Sequence, residues 1–255
     1  MKDALYFENI GGLAMSNIKD PIISQIEKMV QDISGWSPVD QLYTLFNLVY
    51  MTNGLQGDII EIGSWCGRSA CVLGQAAKLI GDTQLISIDL FPEKNDWKQN
   101  KDGSYSMVVE IDGKQYGGYK EQSVWKEPFE KQILPLYEKH QGIFEIFQEN
   151  ITRNNLSKIV KAFKGDSAML PTVLPSNFKC KLAFIDGDHD YTTVCQDIRN
   201  IDELLVKGGW ICFDDAFSSY EGVDRAITDL IINNPNYELG QQFTRKFFAA
   251  RKKNV

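Results

Sequence analysis

Residues 58–69 read DIIEIGSWCGRS. The short apolar run from Ile59 to Ile62, interrupted by Glu61, stops at Gly63, and Gly67 follows four positions later. An apolar run this short, bounded by glycine, predicts a buried strand. The two glycines frame a sharp turn, because glycine enters left-handed backbone conformations without steric cost and lets a ligand approach the chain closely. Small residues then fill SACVLGQAAKLIG (69–81), which predicts a helix whose N-terminus leaves backbone N–H groups free. Strand, glycine turn and helix together open an α/β unit.

Working outward, the same alternation repeats. QLISIDLF (84–91), IVKAFKG (159–165), KLAFIDG (181–187) and GGWICFDD (208–215) are further strands, and helical stretches cover roughly 139–155, 167–174, 190–206 and 221–234. Alternating strands and helices predict a parallel sheet covered on both faces. YELGQQFT and KFFAARKK at the end form an antiparallel hairpin, which makes seven strands. Ahead of the first strand, residues 1–55 read as helices. PIISQIEKMVQDI (21–33) aligns Ile22, Ile26, Met29, Val30 and Ile33 on one face. A second helix starts with Ser37 as N-cap and Pro38 at its first position, and turns Leu42, Leu45, Phe46, Val49 and Tyr50 to one side. The expectation is a single three-layer α/β domain over 1–255, with a core at 58–251.

Residues 91–124 break the rhythm. They contain MVVEIDGKQYGG, a hairpin turning at Asp112-Gly113. They are also rich in aromatics: Trp97, Tyr105, Tyr116 and Tyr119, with Trp125 just beyond. Long insertions of this kind serve as lids or binding loops, although a decorative subdomain or a contact between copies would look the same.

Composition narrows the function. The 27 Lys and Arg against 34 Asp and Glu leave a net charge of −7, which argues against a basic nucleic-acid-binding face. No apolar run is long enough to span a membrane, and the N-terminal MKDALYFENIGGLAMSN lacks the pattern of a secretory signal. The five cysteines form no C-x-x-C pair and only two histidines are present. A Cys/His zinc site is therefore not expected, and reduced thiols in a cytoplasmic protein are.

In open parallel sheets, ligands bind at the carboxyl ends of the strands. All five strand ends here carry acidic or small polar residues: Glu61 to Ser69, Asp89, Gly165-Asp166-Ser167, Asp186-Gly187-Asp188-His189, and Asp214-Asp215. Asp89, 26 residues after Gly63, is placed to accept hydrogen bonds from both ribose hydroxyls of an adenosyl ligand. That spacing serves a nicotinamide dinucleotide or S-adenosylmethionine equally. Bulky Trp65 in the middle of the turn crowds a pyrophosphate, while a carboxylate before the first glycine suits a positively charged ligand. Three neighbouring aspartates would repel one another by about 4 kcal/mol per pair at ~4 Å unless a proton or cation intervened. All-oxygen ligands suit Mg²⁺, Mn²⁺ or Ca²⁺.

EIGSWCGRSACVL resembles the first motif of class I S-adenosylmethionine-dependent methyltransferases, which have a Rossmann-like sheet. More narrowly, it is similar to the metal-dependent O-methyltransferases of the catechol type, whose motif reads E-x-G-x-Y-x-G-x-S. FIDGDHDY followed by GGWICFDD resembles the macrolide-sugar and antibiotic O-methyltransferases. The resemblance covers about 58–251 apart from the insertion. It implies that Glu61, Gly63, Ser64, Trp65, Gly67, Ser69, Asp89, Gly165, Asp166, Ser167, Asp186 and His189 hold S-adenosylmethionine, and that Asp186, Asp214 and Asp215 bind Mg²⁺, Mn²⁺ or Ca²⁺. It also implies that His189, three positions after Asp186, is the base that takes a hydroxyl proton. Stacking on adenine or capping a helix is the alternative for His189; capping a helix is also the alternative for Asp166, Ser167 and Asp215. Trp65, Tyr191 and Phe217 are expected to flank the cleft, and His140 to lie at the surface. The acceptor would be a small molecule with neighbouring oxygens, a sugar-type diol or a catechol. A metal-independent methyltransferase, a nicotinamide-dependent reductase and a non-catalytic adenosyl binder remain open. So does a homo-oligomer built on the apolar N-terminal helices.

Overall fold

A computed structural model describes residues 21–117 and 123–254. Residues 1–20 of the expected helical cap, and 118–122 of the insertion with Tyr119, lie outside the described residues. The chain begins with α1 (Pro21–Val30) and α2 (Val39–Met51), then runs through β1 (Asp58–Ile62), α3 (Arg68–Ile80) and β2 (Leu85–Asp89). The insertion contributes β3 (Trp97–Gln99), β4 (Tyr105–Ile111) and β5 (Lys114–Gly117). After an irregular helical stretch over 126–138 come α4 (Ile143–Arg153), β6 (Val160–Lys164), β7 (Cys180–Ile185), α5 (Tyr191–Leu204) and β8 (Leu205–Phe213). The last elements are α6 (Glu221–Ile227), β9 (Tyr237–Gln242) and β10 (Phe248–Lys252).

The expected seven-stranded sheet forms in the order β6-β2-β1-β7-β8-β10-β9. Its first five strands are parallel, and β10 runs antiparallel to both β8 and β9. The chain moves from β1 outward to β2 and β6, then returns to β7, so the topological switch point lies between β1 and β7. That is where an open α/β sheet has its crevice.

Strand residues alternate between the two faces. Ile59, Leu85, Leu182, Phe184, Trp210 and Cys212 join the core beneath α1 to α4. Ile60, Ile62, Ala183, Ile185, Ile211 and Phe213 join the core beneath α5 and α6. These two cores make three layers, as the alternating pattern requires.

Two local expectations change at the N-terminal helices. Pro38, in extended conformation, is itself the N-cap of α2 and no side chain caps it. Ser37 instead gives its carbonyl to Arg68 Nε at 2.9 Å. Tyr50 is exposed, while Gln41 and Leu48 join Leu42, Leu45, Phe46 and Val49 in the interior. Arg68 also donates from Nη1 to the carbonyls of Val30 and Ile33, at 2.6 and 2.9 Å. An arginine on the last carbonyls of a helix satisfies groups that helix leaves unpaired. Here it ties α1 to the first turn of α3.

The insertion forms its own three-stranded sheet, β3-β4-β5, with the hairpin turning at Asp112 and Gly113 as expected. Both turn residues have positive φ, 51° and 74°, as a two-residue hairpin loop of the type I′ class requires. All five cysteines are free and buried. No helix among the described residues is long and apolar enough to cross a membrane.

Candidate active site

The carboxyl ends of the parallel strands open into a cleft of about 490 Å³, within the usual range for small-ligand sites. Of the residues singled out from the sequence, Gly63, Ser64, Trp65, Ser69, Asp89, Gly165, Asp166, Ser167, Asp186, His189, Asp214 and Asp215 line it. Glu61 and Gly67 do not.

Gly63 has φ +84°, and a Cβ placed there would lie 2.0 Å from the carbonyl oxygen of Asp186. The glycine therefore serves the close approach of one strand end to another. Gly67, with φ +86°, packs instead against the ring of Phe147. Between them Trp65 takes φ 45°, a conformation uncommon for a bulky side chain and seen mostly where surrounding contacts enforce it. Those contacts come from Asp89. Its Oδ2 accepts the N–H groups of Ser64 and Trp65 at 2.8 and 2.9 Å, and its Oδ1 accepts that of Phe91 at 2.6 Å. Phe91 too is left-handed, at φ 44°. Burial pushes the Asp89 carboxyl up, and the three backbone donors oppose that shift.

Glu61 corrects the expectation that a carboxylate here meets the ligand directly. It lies on the same face of β1 as Ile59 and is fully buried, and its Oε2 accepts the Ser87 hydroxyl at 2.8 Å. Burial raises its pKa from 4.5 to about 7, with Ser69, Ser64 and Ser87 pulling the other way. Asp197, on α5 behind Ser167, is raised to about 7 for the same main reason. A carboxyl that holds its proton more tightly when folded destabilises the fold as pH rises from the unfolded value through the folded one. Glu61 should therefore make stability fall between about pH 4.5 and 7, by roughly 3 kcal/mol for a shift of this size. Urea unfolding of the wild type and Glu61→Gln across that range checks this. The wild type should lose stability relative to the variant, and parallel curves would show that Glu61 is not the source.

The acidic end of the cleft is built by β7, β8 and the β9–β10 connection. One oxygen from each of Asp186, Asp214 and Asp215 lies within 4.8 Å of the others. Burial and the two neighbouring carboxylates hold Asp186 well above the ordinary range, and burial raises Asp214. Burial also works to raise Asp215, but the His189 hydrogen bond and the Lys246 charge bring it below its usual value. Asp215 has φ 53°, a third left-handed side chain at the strand ends. Its Oδ2 lies 3.0 Å from His189 Nε2. The His189 ring stacks on Tyr220 at 3.7 Å, and its Nδ1 is buried without a partner.

Helix capping falls to other residues than His189. Asp190 caps α5 through Thr192 and Thr193, and Asp166 caps the short turn after β6 through Ala168. Ser167 is buried at the cleft. His140 lies at a helix end beside Glu145 and Glu149.

Several cleft residues were not foreseen. Lys246 Nζ lies 3.1 Å from both Asp214 Oδ2 and Asp215 Oδ1. It arrives there because β10 pairs with β8 in the register Phe248↔Phe213, which sets the residues before β10 opposite those after β8. Tyr220 takes the place expected for Tyr191 and Phe217. Tyr191 faces α6, beneath Arg225 and bonded to Asp229, and Phe217 packs on Phe248. Trp36, Trp65, Trp97 and Trp125 give the cleft an aromatic wall. The Trp65 ring centroid lies 5.7 Å from that of Trp36 and 6.4 Å from that of Trp97. The N-terminal helical region, the glycine turn and the insertion thus meet at one place.

The profile of a family described as a methyltransferase domain matches residues 60–216. Among solved structures, the SAH-bound methyltransferase PaMTH1 of Podospora anserina is 13% identical, with 98% of this chain and 96% of that one covered and a TM-score of 0.59. The O-methyltransferase TomG of Streptomyces achromogenes in complex with SAM is 13% identical, with 96% of each chain covered and a TM-score of 0.57. The O-methyltransferase of Bacillus cereus in complex with SAH is 15% identical, covering 96% of this chain and 97% of that one, with a TM-score of 0.56. These likenesses are likenesses of fold. No curated protein matches the chain.

Proposed function

This chain belongs to the methyltransferase-domain family, and we propose that it is an S-adenosylmethionine-dependent O-methyltransferase acting on a hydroxyl of a small molecule, with a divalent ion on Asp186, Asp214 and Asp215. The observation that carries the reading is a juxtaposition. The clamped turn of Ser64 and Trp65, the Asp89 carboxylate and the acidic trio all face one cleft at the switch point of the sheet. TomG binds SAM, and the Bacillus cereus and Podospora proteins bind SAH, on the same fold.

Both groups fit the residues present. The cleft is large enough for part of an adenosyl ligand and carries polar groups at its strand ends. Oxygens of Asp186, Asp214 and Asp215 lie within 4.8 Å of one another, a closeness that carboxylates sustain with a proton or a cation between them. Three hard oxygen donors suit Mg²⁺, Mn²⁺ or Ca²⁺. When bound, S-adenosylmethionine supplies a methyl group on a positively charged sulfur, and a divalent ion supplies polarisation of the acceptor oxygens.

The chain supplies placement and a proton acceptor. Asp89 offers its remaining acceptor capacity to the ribose, and Asp166 and Ser167 are placed for the adenine. Asp215 accepts the His189 Nε2 proton, which selects the tautomer and leaves the lone pair on Nδ1. Stacking on Tyr220 fixes the plane of the ring. We assign His189 the role of general base toward the acceptor's hydroxyl, which its buried Nδ1 serves once the ring turns toward the cleft. The tryptophan wall presents flat apolar faces to a ring-shaped acceptor, either the C–H face of a sugar or the plane of a catechol. The five free, buried thiols suit the cytoplasm.

Calorimetric titration with S-adenosylmethionine, followed by methyl transfer to a panel of glycosides and catechols with Mg²⁺ or with EDTA, tests this. Binding with micromolar affinity and turnover lost in EDTA are expected. Failure to bind would remove the methyltransferase reading. Turnover indifferent to EDTA would favour a second reading, a metal-independent methyltransferase, for which the position of the Lys246 ammonium speaks.

A further inference from the structure

The Lys246 ammonium is hydrogen-bonded to two of the three carboxylates assigned above to a divalent ion. Ligand oxygens that lie within 4.8 Å of one another enclose room for one positive centre at contact distance. A second positive centre beside it is strongly repelled where little water is present to screen the pair. Ion and ammonium therefore exclude each other from these oxygens.

The backbone of Lys246 is fixed. Its carbonyl accepts the Ala216 N–H at 2.9 Å, and the next residue, Phe247, is fully buried. The side chain is freer. It is 18% exposed, and a four-carbon stem can carry the ammonium from the carboxylates toward solvent without moving the chain. The surrounding charge also permits an exchange. Asp186 faces the ammonium from the end of β7, and Asp214 and Asp215 face it from the end of β8. His189, before α5, contacts it only through Asp215. One ammonium against three carboxylates leaves the cluster short of positive charge.

We propose that Lys246 is a displaceable counter-ion of the acidic trio: its ammonium holds Asp214 and Asp215 together while no ion is bound, and a divalent ion enters by driving it out. The proposal rests on the divalent-ion reading given above. It makes the ion exchangeable rather than resident, because each binding event must first break two hydrogen bonds between oppositely charged groups.

Calorimetry with Mn²⁺ on the wild type, Lys246→Met and Lys246→Arg tests it. Lys246→Met should bind Mn²⁺ roughly tenfold or more tightly than the wild type, since the competing charge is gone. Lys246→Arg should stay weak, and ion-free Lys246→Met should melt lower than the wild type and regain stability with Mn²⁺. A second measurement needs no variant. Labelling of wild-type amines with acetic anhydride, read by peptide mass spectrometry, should mark Lys246 more heavily with Mn²⁺ than with EDTA. Equal Mn²⁺ affinity in the wild type and Lys246→Met, or Mn²⁺ binding with unchanged Lys246 labelling, would overturn the exchange and leave the divalent-ion reading standing. Absence of Mn²⁺ binding to every form would overturn both.

Discussion

Gly63→Ala should lower the stability of the fold by about 2–5 kcal/mol or more. The new Cβ would lie 2.0 Å from the Asp186 carbonyl oxygen, 2.5 Å from its carbon and 2.9 Å from the Gly187 Cα. All three are backbone atoms, so no rotamer change relieves the clash. Their positions are held by the sheet itself. Ile62 pairs with Ile185, Gly63 N–H donates to the Ile88 carbonyl, and Asp186 N–H donates to that of Ile62. Relief requires parting β1 from β7 at the switch point. A left-handed non-glycine residue costs about 1–2 kcal/mol, and overpacking adds about 1–3 kcal/mol or more. Together they consume a large share of a typical stability of about 5–15 kcal/mol. Gly113→Ala is the matched control, because Gly113, in the hairpin turn, also has positive φ, at +74°, but has nothing within 4 Å of the added carbon. Urea midpoints should place Gly113→Ala within about 1–2 kcal/mol of the wild type and Gly63→Ala far below it. Equal midpoints would mean that the strand ends part readily.

The same glycine shows what was legible in the sequence. A glycine at the end of an apolar run announced the turn, and the spacing of the other runs announced five parallel strands and the closing hairpin, because burial on both faces writes each strand as an apolar block. The residues at the strand ends could be read from these blocks, and the structure brings Asp89, Asp186, His189, Asp214 and Asp215 into one cleft. The reason for the glycine was not legible. Its constraint comes from Asp186, more than a hundred residues away. Glu61 was misjudged for a different reason. It lies inside a strand covered on both faces, where either phase is interior, and that burial outweighs the attraction of a carboxylate for a positively charged ligand. Lys246 carried no local signal at all. Its place follows from the antiparallel register of β10 on β8, and an edge pairing of that kind is not encoded in the spacing around a single lysine. Trp36 likewise reaches the cleft only because Arg68 ties α1 and the segment after it to the glycine turn.

Asp89→Ala should weaken binding of S-adenosylhomocysteine by about 100-fold or more, since it removes a ligand hydrogen bond to a charged acceptor, roughly 1.5–3 kcal/mol, together with the backbone clamp that shapes the turn. The resemblance to methyltransferases gives this carboxylate the ribose. The structure gives it a prior task, because three backbone N–H groups already occupy it and two of their residues, Trp65 and Phe91, are held in left-handed conformations. A carboxylate has about four acceptor sites, so about one remains for a ribose hydroxyl. Asp89 thus shapes the cofactor turn as well as touching the ligand. Asp89→Glu separates the two tasks. Glutamate keeps the charge and could still reach a hydroxyl in the open cleft, but its longer stem moves the oxygens away from the N–H groups of Ser64, Trp65 and Phe91. If contact with ribose were the whole of its role, Asp89→Glu would retain most of the affinity. If the clamp on the turn matters as the geometry requires, Asp89→Glu should fall with Asp89→Ala, and Trp65 fluorescence should change in both proteins before any ligand is added. Affinity for S-adenosylhomocysteine within about threefold of wild type in Asp89→Ala, a difference below 1 kcal/mol, would show that the turn holds its shape without the carboxylate and that the ribose is bound elsewhere.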